Sequence, residues 1–271
     1  MTTPDQHLQA VIFDWAGTTI DYGSLAPVAP FLEVFRRHGV ELTIQEARKP
    51  MGLYKRDHIK ALLQMESVRQ KWLQVHQQYP QEQDVERLFE EFIPLQLKVL
   101  EQHADPIPGC LECLRELRHQ GLKIGSTTGY DRQMMDVLIP IAKEKGFFPD
   151  SIVCVSDVPA GRPAPWMAVV SAMQMNIYPF WTILKVGDTI ADMEEGLNAG
   201  MWTAAVVLTG NAFGLPEESL KNLPNEERLA RRRQAEHEFR HAGAHFVMDG
   251  IWEVPAVVDE INHLLDQGKK P

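Results

Sequence analysis

VIFDWAGTTID, residues 11–21, is an apolar run that ends on one carboxylate, Asp14, and then breaks into a short Ala-Gly-Thr-Thr loop. A continuous β-branched and aromatic run of this length reads as a strand buried on both faces, the pattern of a parallel sheet. It delivers Asp14 to the point where the strand stops. If such a loop is to cleave a phosphate ester, the leaving oxygen wants a proton, which a second carboxylate two residues later would supply. Here that position is Ala16.

Working outward, further apolar runs end in small or polar residues: 8–15, 122–128, 151–157, 182–189, 203–210 and 244–250. Helical spacing fills 109–120, 131–145, 164–175, 190–199 and 252–267. Strands alternating with helices predict an α/β fold, a Rossmann-like parallel sheet with helices on both faces. Residues 22–103 interrupt the alternation with helical patterns alone and read as an inserted helical domain. The core is then 1–21 with 104–271. Ligands in open α/β sheets sit at the carboxyl ends of the strands, so an insertion leaving the end of the first strand covers that site as a lid does.

Composition narrows the function. The net charge is −10, which disfavours nucleic acid or an anionic membrane as partner. No run of about 18 apolar residues suggests a transmembrane span. The first residues, MTTPDQHLQ, lack a basic and apolar leader, and the chain has three cysteines, so a cytoplasmic location is expected. Cys110 and Cys113 form a lone C-x-x-C; a structural zinc site would need two more ligands nearby, and the pair reads as packing. The run Arg231-Arg232-Arg233, in the charged segment 216–241, reads as a solvated helix face.

The strand ends, taken together, carry chemistry. They hold Asp14, then Ser126-Thr127-Thr128, then Gly161-Arg162, then Gly187-Asp188-Thr189 with Asp192 following. A parallel sheet brings all of them to one edge. Asp14 is suited to attack phosphorus. Asp14 and Asp188, joined by Asp192, suit Mg2+, which takes a few carboxylates and neutralises phosphoryl charge. The Thr128 hydroxyl and the Arg162 guanidinium suit phosphoryl oxygens. His58 lies three residues after Lys55, on the same face if that segment is helical.

DWAGTTxD, the Thr128 strand end, GRP and GDTxxD resemble the four motifs of the haloacid dehalogenase superfamily, and the helical insertion resembles its C1 cap. The longer set VIFDWAGTTIDYG, EARKPMGLxKxDH, GSTTGYxRxMMD, DVPAGRPxPWM and KVGDTxxDMxEGxNAGMW resembles the phosphonoacetaldehyde hydrolase family over essentially the whole chain. That resemblance implies cleavage of a carbon–phosphorus bond through a Schiff base on Lys55 and an aspartyl-phosphate on Asp14, in the breakdown of 2-aminoethylphosphonate. It implies His58 as proton relay, Met51, Gly52 and Tyr130 around the substrate, a metal contact from the backbone carbonyl of Ala16, and a homodimer. Ser24 stands where some members have Cys. The alanine then makes sense: a carbon leaving group needs an electron sink, which an iminium supplies, and an acid beside the nucleophile does not. The alternatives are a phosphomonoesterase or phosphomutase of the superfamily, or a non-catalytic phosphate-binding relative.

Overall fold

The computed structural model describes residues 7–271. Six strands form one parallel sheet in the order β3-β2-β1-β4-β5-β6: β1 Ala10–Phe13, β2 Lys123–Thr128, β3 Ser151–Cys154, β4 Ile183–Gly187, β5 Trp202–Val206 and β6 Phe246–Met248. Every residue of β1, β4 and β5 is buried, as expected of central strands covered on both faces. Each strand is shorter than its apolar run. Those that follow the strands form the loops at the carboxyl edge, where Phe13 pairs with Ser126 on one side and Val186 on the other.

The first five helices, α1 Val28–Arg37, α2 Ile44–Arg48, α3 Lys55–Gln64, α4 Glu66–His76 and α5 Glu82–Leu100, all lie between β1 and β2 in sequence. They pack on one another: α1 buries Phe31, Val34 and Phe35 at helical spacing, and Phe31 stacks on Phe92 of α5 at 4.3 Å between ring centroids. Thr43 and Glu46 cap α2 reciprocally. The remaining helices flank the sheet: α6 Cys110–His119, α7 Arg132–Glu144, α8 Trp166–Gln174, α9 Ile190–Asn198, α10 Glu217–Lys221, α11 Asn225–His241 and α12 Val254–Asp266.

The two chain segments joining insertion and core are tied together. The Ile107 amide donates to the Thr19 carbonyl at 2.8 Å. His103 Nδ1 meets Asp21 Oδ1 at 2.8 Å, and that carboxylate also accepts from the Leu25 and Ala26 amides. Among the described residues no helix is long and apolar enough to cross a membrane. Cys110 and Cys113 are buried free thiols, and burial pushes the Cys113 thiol up to about 12. Of the arginine run on α11, Arg231 pairs with Glu227 and Arg232 with Glu236 and Asp249.

Candidate active site

The strand order reverses between β1 and β4, and a pocket opens at their carboxyl ends, as expected at such a switch point. The core supplies Asp14, Ala16, Thr128, Gly129, Tyr130, Arg162, Asp188 and Thr189; the insertion supplies Ser24, Pro27, Met51, Gly52, Leu53 and Lys55. Of the residues singled out in the sequence, Asp14, Ala16, Met51, Gly52, Lys55, Thr128, Tyr130, Arg162 and Asp188 line this pocket, and His58 and Asp192 do not.

Asp14 leaves β1 with its side chain nearly buried. Its Oδ1 accepts from Arg162 Nη2 at 2.8 Å. Burial and the nearby Asp192 carboxylate push its pKa up to about 6, against the pull of Arg162 and Lys185. Asp188 accepts from the Asn211 amide through Oδ2 at 2.7 Å, while its buried Oδ1 has no partner. Burial, with Asp14 and Asp192 close by, raises its pKa well above the carboxylate range. Oxygens of Asp14, Asp188 and Asp192 lie within 4.8 Å of one another. An orphaned buried oxygen in a cluster of acids short of positive charge is what a divalent cation corrects, so these residues fit a metal.

Asp192 stands apart within that trio. It caps α9 through Thr189, whose Oγ1 lies 2.5 Å from its Oδ2. Its Oδ1 meets Lys185 Nζ at 2.8 Å and Arg162 Nη1 at 2.9 Å. Arg162 and Lys185 hold its pKa below the usual value despite burial. It is already neutralised, which leaves Asp14 and Asp188 as the acids with oxygen to give.

Arg162 is the hub. Nε donates to Glu195 Oε2 at 3.0 Å, Nη2 to Asp14 and to Thr127 Oγ1 at 2.9 Å, and Nη1 to Asp192 with a longer 3.5 Å reach to the Gly52 carbonyl of the insertion. Sequence reasoning expected its fork on phosphoryl oxygens; here the fork is occupied by protein acceptors, and the Gly52 contact is the one weak enough for a ligand to replace. Glu195 and Lys185 were missed. Lys185 Nζ sits 3.3 Å from Glu195 Oε2, and both side chains are fully buried. A lysine inside a strand buried on both faces was the available signal, as was the Asp192–Glu195 spacing on one face of α9.

Lys55 opens α3 and points its ammonium into the pocket beside Tyr130, 4.9 Å from the ring centroid, with Phe31 at 5.8 Å. Burial pulls its pKa down to about 8, helped by Arg162 and opposed by Asp14. Its sequence neighbours do not take part: Arg56 turns to Glu86 of α5 at 2.9 Å, and Arg48 turns to the loop after β5. His58 lies one turn on, fully buried and stacked on Phe31 at 3.9 Å. Its Nε2 lies 2.9 Å from the Ala47 carbonyl. A carbonyl only accepts, so Nε2 carries the proton and Nδ1, which has no partner, holds the lone pair. Burial and the Lys55 charge keep the ring neutral.

The loop between α2 and α3 presses onto the core. Gly52 has φ +91°, and a Cβ there would lie 2.2 Å from Thr189 Oγ1, so only glycine fits. Thr128 Oγ1 accepts from the Tyr130 amide at 3.2 Å, leaving its O–H to donate into the pocket.

Sheet, helical insertion and acidic strand ends define a hydrolase of the haloacid dehalogenase type, and the profile for haloacid dehalogenase-like hydrolases matches residues 11–206. Among relatives, a phosphonoacetaldehyde hydrolase-like protein of Syntrophobacter fumaroxidans is 49% identical over 97% of this chain and 95% of its own. A phosphonoacetaldehyde hydrolase of Bacillus cytotoxicus is 47% identical over 94% of this chain and 96% of its own. The crystal structure of a phosphonoacetaldehyde hydrolase-like protein from Oleispira antarctica superposes with a TM-score of 0.95 at 41% identity, covering 97% of this chain and 96% of that one. The chain belongs to the haloacid dehalogenase-like hydrolases and, within them, to the phosphonoacetaldehyde hydrolase family.

Proposed function

We infer that this protein hydrolyses phosphonoacetaldehyde to acetaldehyde and phosphate. The observation that carries the reading is a lysine with a lowered pKa in the same pocket as a carboxylate nucleophile that has no acid two residues on. Residues 22–103 serve as the cap that brings the lysine there. The family relatives carry the same name for the reaction.

The unprotonated Lys55 amine adds to the aldehyde carbon, and loss of water gives an iminium. Nδ1 of His58, held as the acceptor by the Ala47 carbonyl, takes the amine proton through a water and returns it to the carbinolamine oxygen, which leaves as water with a second proton from solvent. Asp14, gripped at Oδ1 by Arg162, turns its other oxygen on phosphorus. As the oxygen–phosphorus bond forms, the carbon–phosphorus bond breaks and its electrons pass into the iminium, leaving an enamine on Lys55. The Thr128 hydroxyl holds a phosphoryl oxygen, and another displaces the Gly52 carbonyl from Arg162 Nη1. Protonation and hydrolysis release acetaldehyde from Lys55; a second water hydrolyses the aspartyl-phosphate. Mg2+, held by Asp14, Asp188 and the Ala16 carbonyl, would supply neutralisation of phosphoryl charge. Assembly as a homodimer in the cytoplasm belongs to the same reading.

The test is release of acetaldehyde and phosphate in equal amounts from phosphonoacetaldehyde with Mg2+. Rapid hydrolysis of ordinary phosphate esters with none of the phosphonate would instead point to a phosphomonoesterase. Restoring the acid, Ala16→Asp, should leave phosphonate cleavage no faster; a large gain would contradict the account of the alanine.

A further inference from the structure

Arg48 is the last residue of α2, a few residues before Gly52 and Lys55, yet its side chain turns away from them, to the start of the insertion and to the loop after β5. Nη1 donates to the Gly23 carbonyl at 3.0 Å and to Asn211 Oδ1 at 3.0 Å; Nη2 donates to the Gly214 carbonyl at 3.1 Å. Asn211 answers: its Nδ2 donates to the Arg48 carbonyl at 3.2 Å. The Asn211 side chain is therefore joined to Arg48 twice, accepting from its guanidinium and donating to its backbone carbonyl. The same Asn211 gives its amide N–H to Asp188 Oδ2. One loop residue thus touches the insertion with its side chain and an acid of the metal-suited cluster with its backbone.

We propose that Arg48 and Asn211 form a clasp that carries docking of the insertion to Asp188, so that delivery of Lys55 and orientation of the cation-facing carboxylate are one event. Both are positioning residues: neither lines the pocket. The physical logic is direct. Asp188 keeps one oxygen toward the site because the other is held by the Asn211 amide, and that amide is placed by the Arg48 fork. With the insertion lifted, the loop loses its bonds to Arg48, and the Asp188 carboxylate is free to turn. The clasp rests on the function proposed above only for its purpose; its geometry stands without it.

The experiment is Mg2+ titration by calorimetry of the full chain, without substrate, for Arg48→Met, Asn211→Ala and the double variant. Arg48→Met keeps the length of the side chain and removes its donors; Asn211→Ala keeps the amide to Asp188 and removes the clasp. Each single variant should weaken Mg2+ binding roughly 5- to 50-fold, and the double variant no more than the worse single, because the two act as a unit. Simple electrostatics predicts the opposite sign for Arg48→Met, since removing a cation near Asp188 tightens binding of another. Gly214→Ala is the variant that keeps both partners: Gly214 has φ +60°, and its Cβ would fall 2.5 Å from the Arg48 guanidinium carbon, displacing the fork. It should weaken Mg2+ binding too. Tighter or unchanged binding in thermally stable Arg48→Met and Gly214→Ala proteins, or additive losses in the double variant, would overturn the clasp. The titration uses no phosphonate, so it decides the clasp even if the assigned reaction failed.

Discussion

Lys55 shows how a single residue is tuned by position. An exposed lysine offers about one free amine in a thousand near neutral pH. With the pKa pulled down to about 8 by burial, roughly one in five is free at pH 7.4. The sign sets the pH dependence. The reactive amine is present above about 8 and is lost as pH falls, so the rate of reductive trapping by phosphonoacetaldehyde should drop about tenfold per pH unit below that point. A trapping rate still falling steeply between pH 9 and 10 would place the pKa back at that of an exposed lysine. Lys55→Arg should retain the charge and abolish turnover, because a guanidinium stays protonated and forms no imine. A variant with substantial turnover, measured as phosphate release, would remove the lysine from the mechanism.

At the scale of elements, the loop joining α2 to α3 does most to assemble the site. It carries Met51, Gly52 and Leu53 onto the strand ends and starts the helix whose first residue is Lys55. Gly52→Ala puts a methyl into Thr189 and costs roughly 1–2 kcal/mol in the left-handed backbone alone. It should leave the sheet intact, hold the loop off the core, and lower kcat/KM on the order of 100-fold. Unchanged kcat/KM in that variant would show the loop is not a close-fitting part of the site. This scale also marks how much the sequence made legible. The strand ends could be read because each run stopped on a carboxylate, a hydroxyl or a glycine, and a parallel sheet leaves them nowhere else to go. The buried Glu195 and Lys185 left only a weak trace, a lysine inside a buried strand and an i,i+3 acid pair on α9, because their value lies in a mutual contact between α9 and β4. Arg48 shows the same limit: it stands close to Lys55 in sequence, yet its side chain spans to residues 211 and 214.

Across the whole molecule, two chemistries meet at one face. The core supplies four buried carboxylates, Asp14 and Asp188 at strand ends and Asp192 and Glu195 on α9, with Arg162 and Lys185 placed between them. That arrangement neutralises Asp192 and Glu195 and leaves Asp14 and Asp188 facing the pocket, the ones suited to nucleophile and cation. The insertion supplies the amine, a neutral imidazole and an apolar wall. On the mechanism proposed above neither half suffices for carbon–phosphorus cleavage: the core lacks an electron sink, and the insertion lacks the carboxylate that attacks phosphorus. The central claim is therefore the covalent bond between substrate and Lys55. The most direct measurement is borohydride reduction in the presence of phosphonoacetaldehyde and Mg2+, followed by mass mapping of the peptides. The account predicts a stoichiometric two-carbon adduct on Lys55. Turnover with no adduct on that lysine, in protein that binds Mg2+, would contradict it.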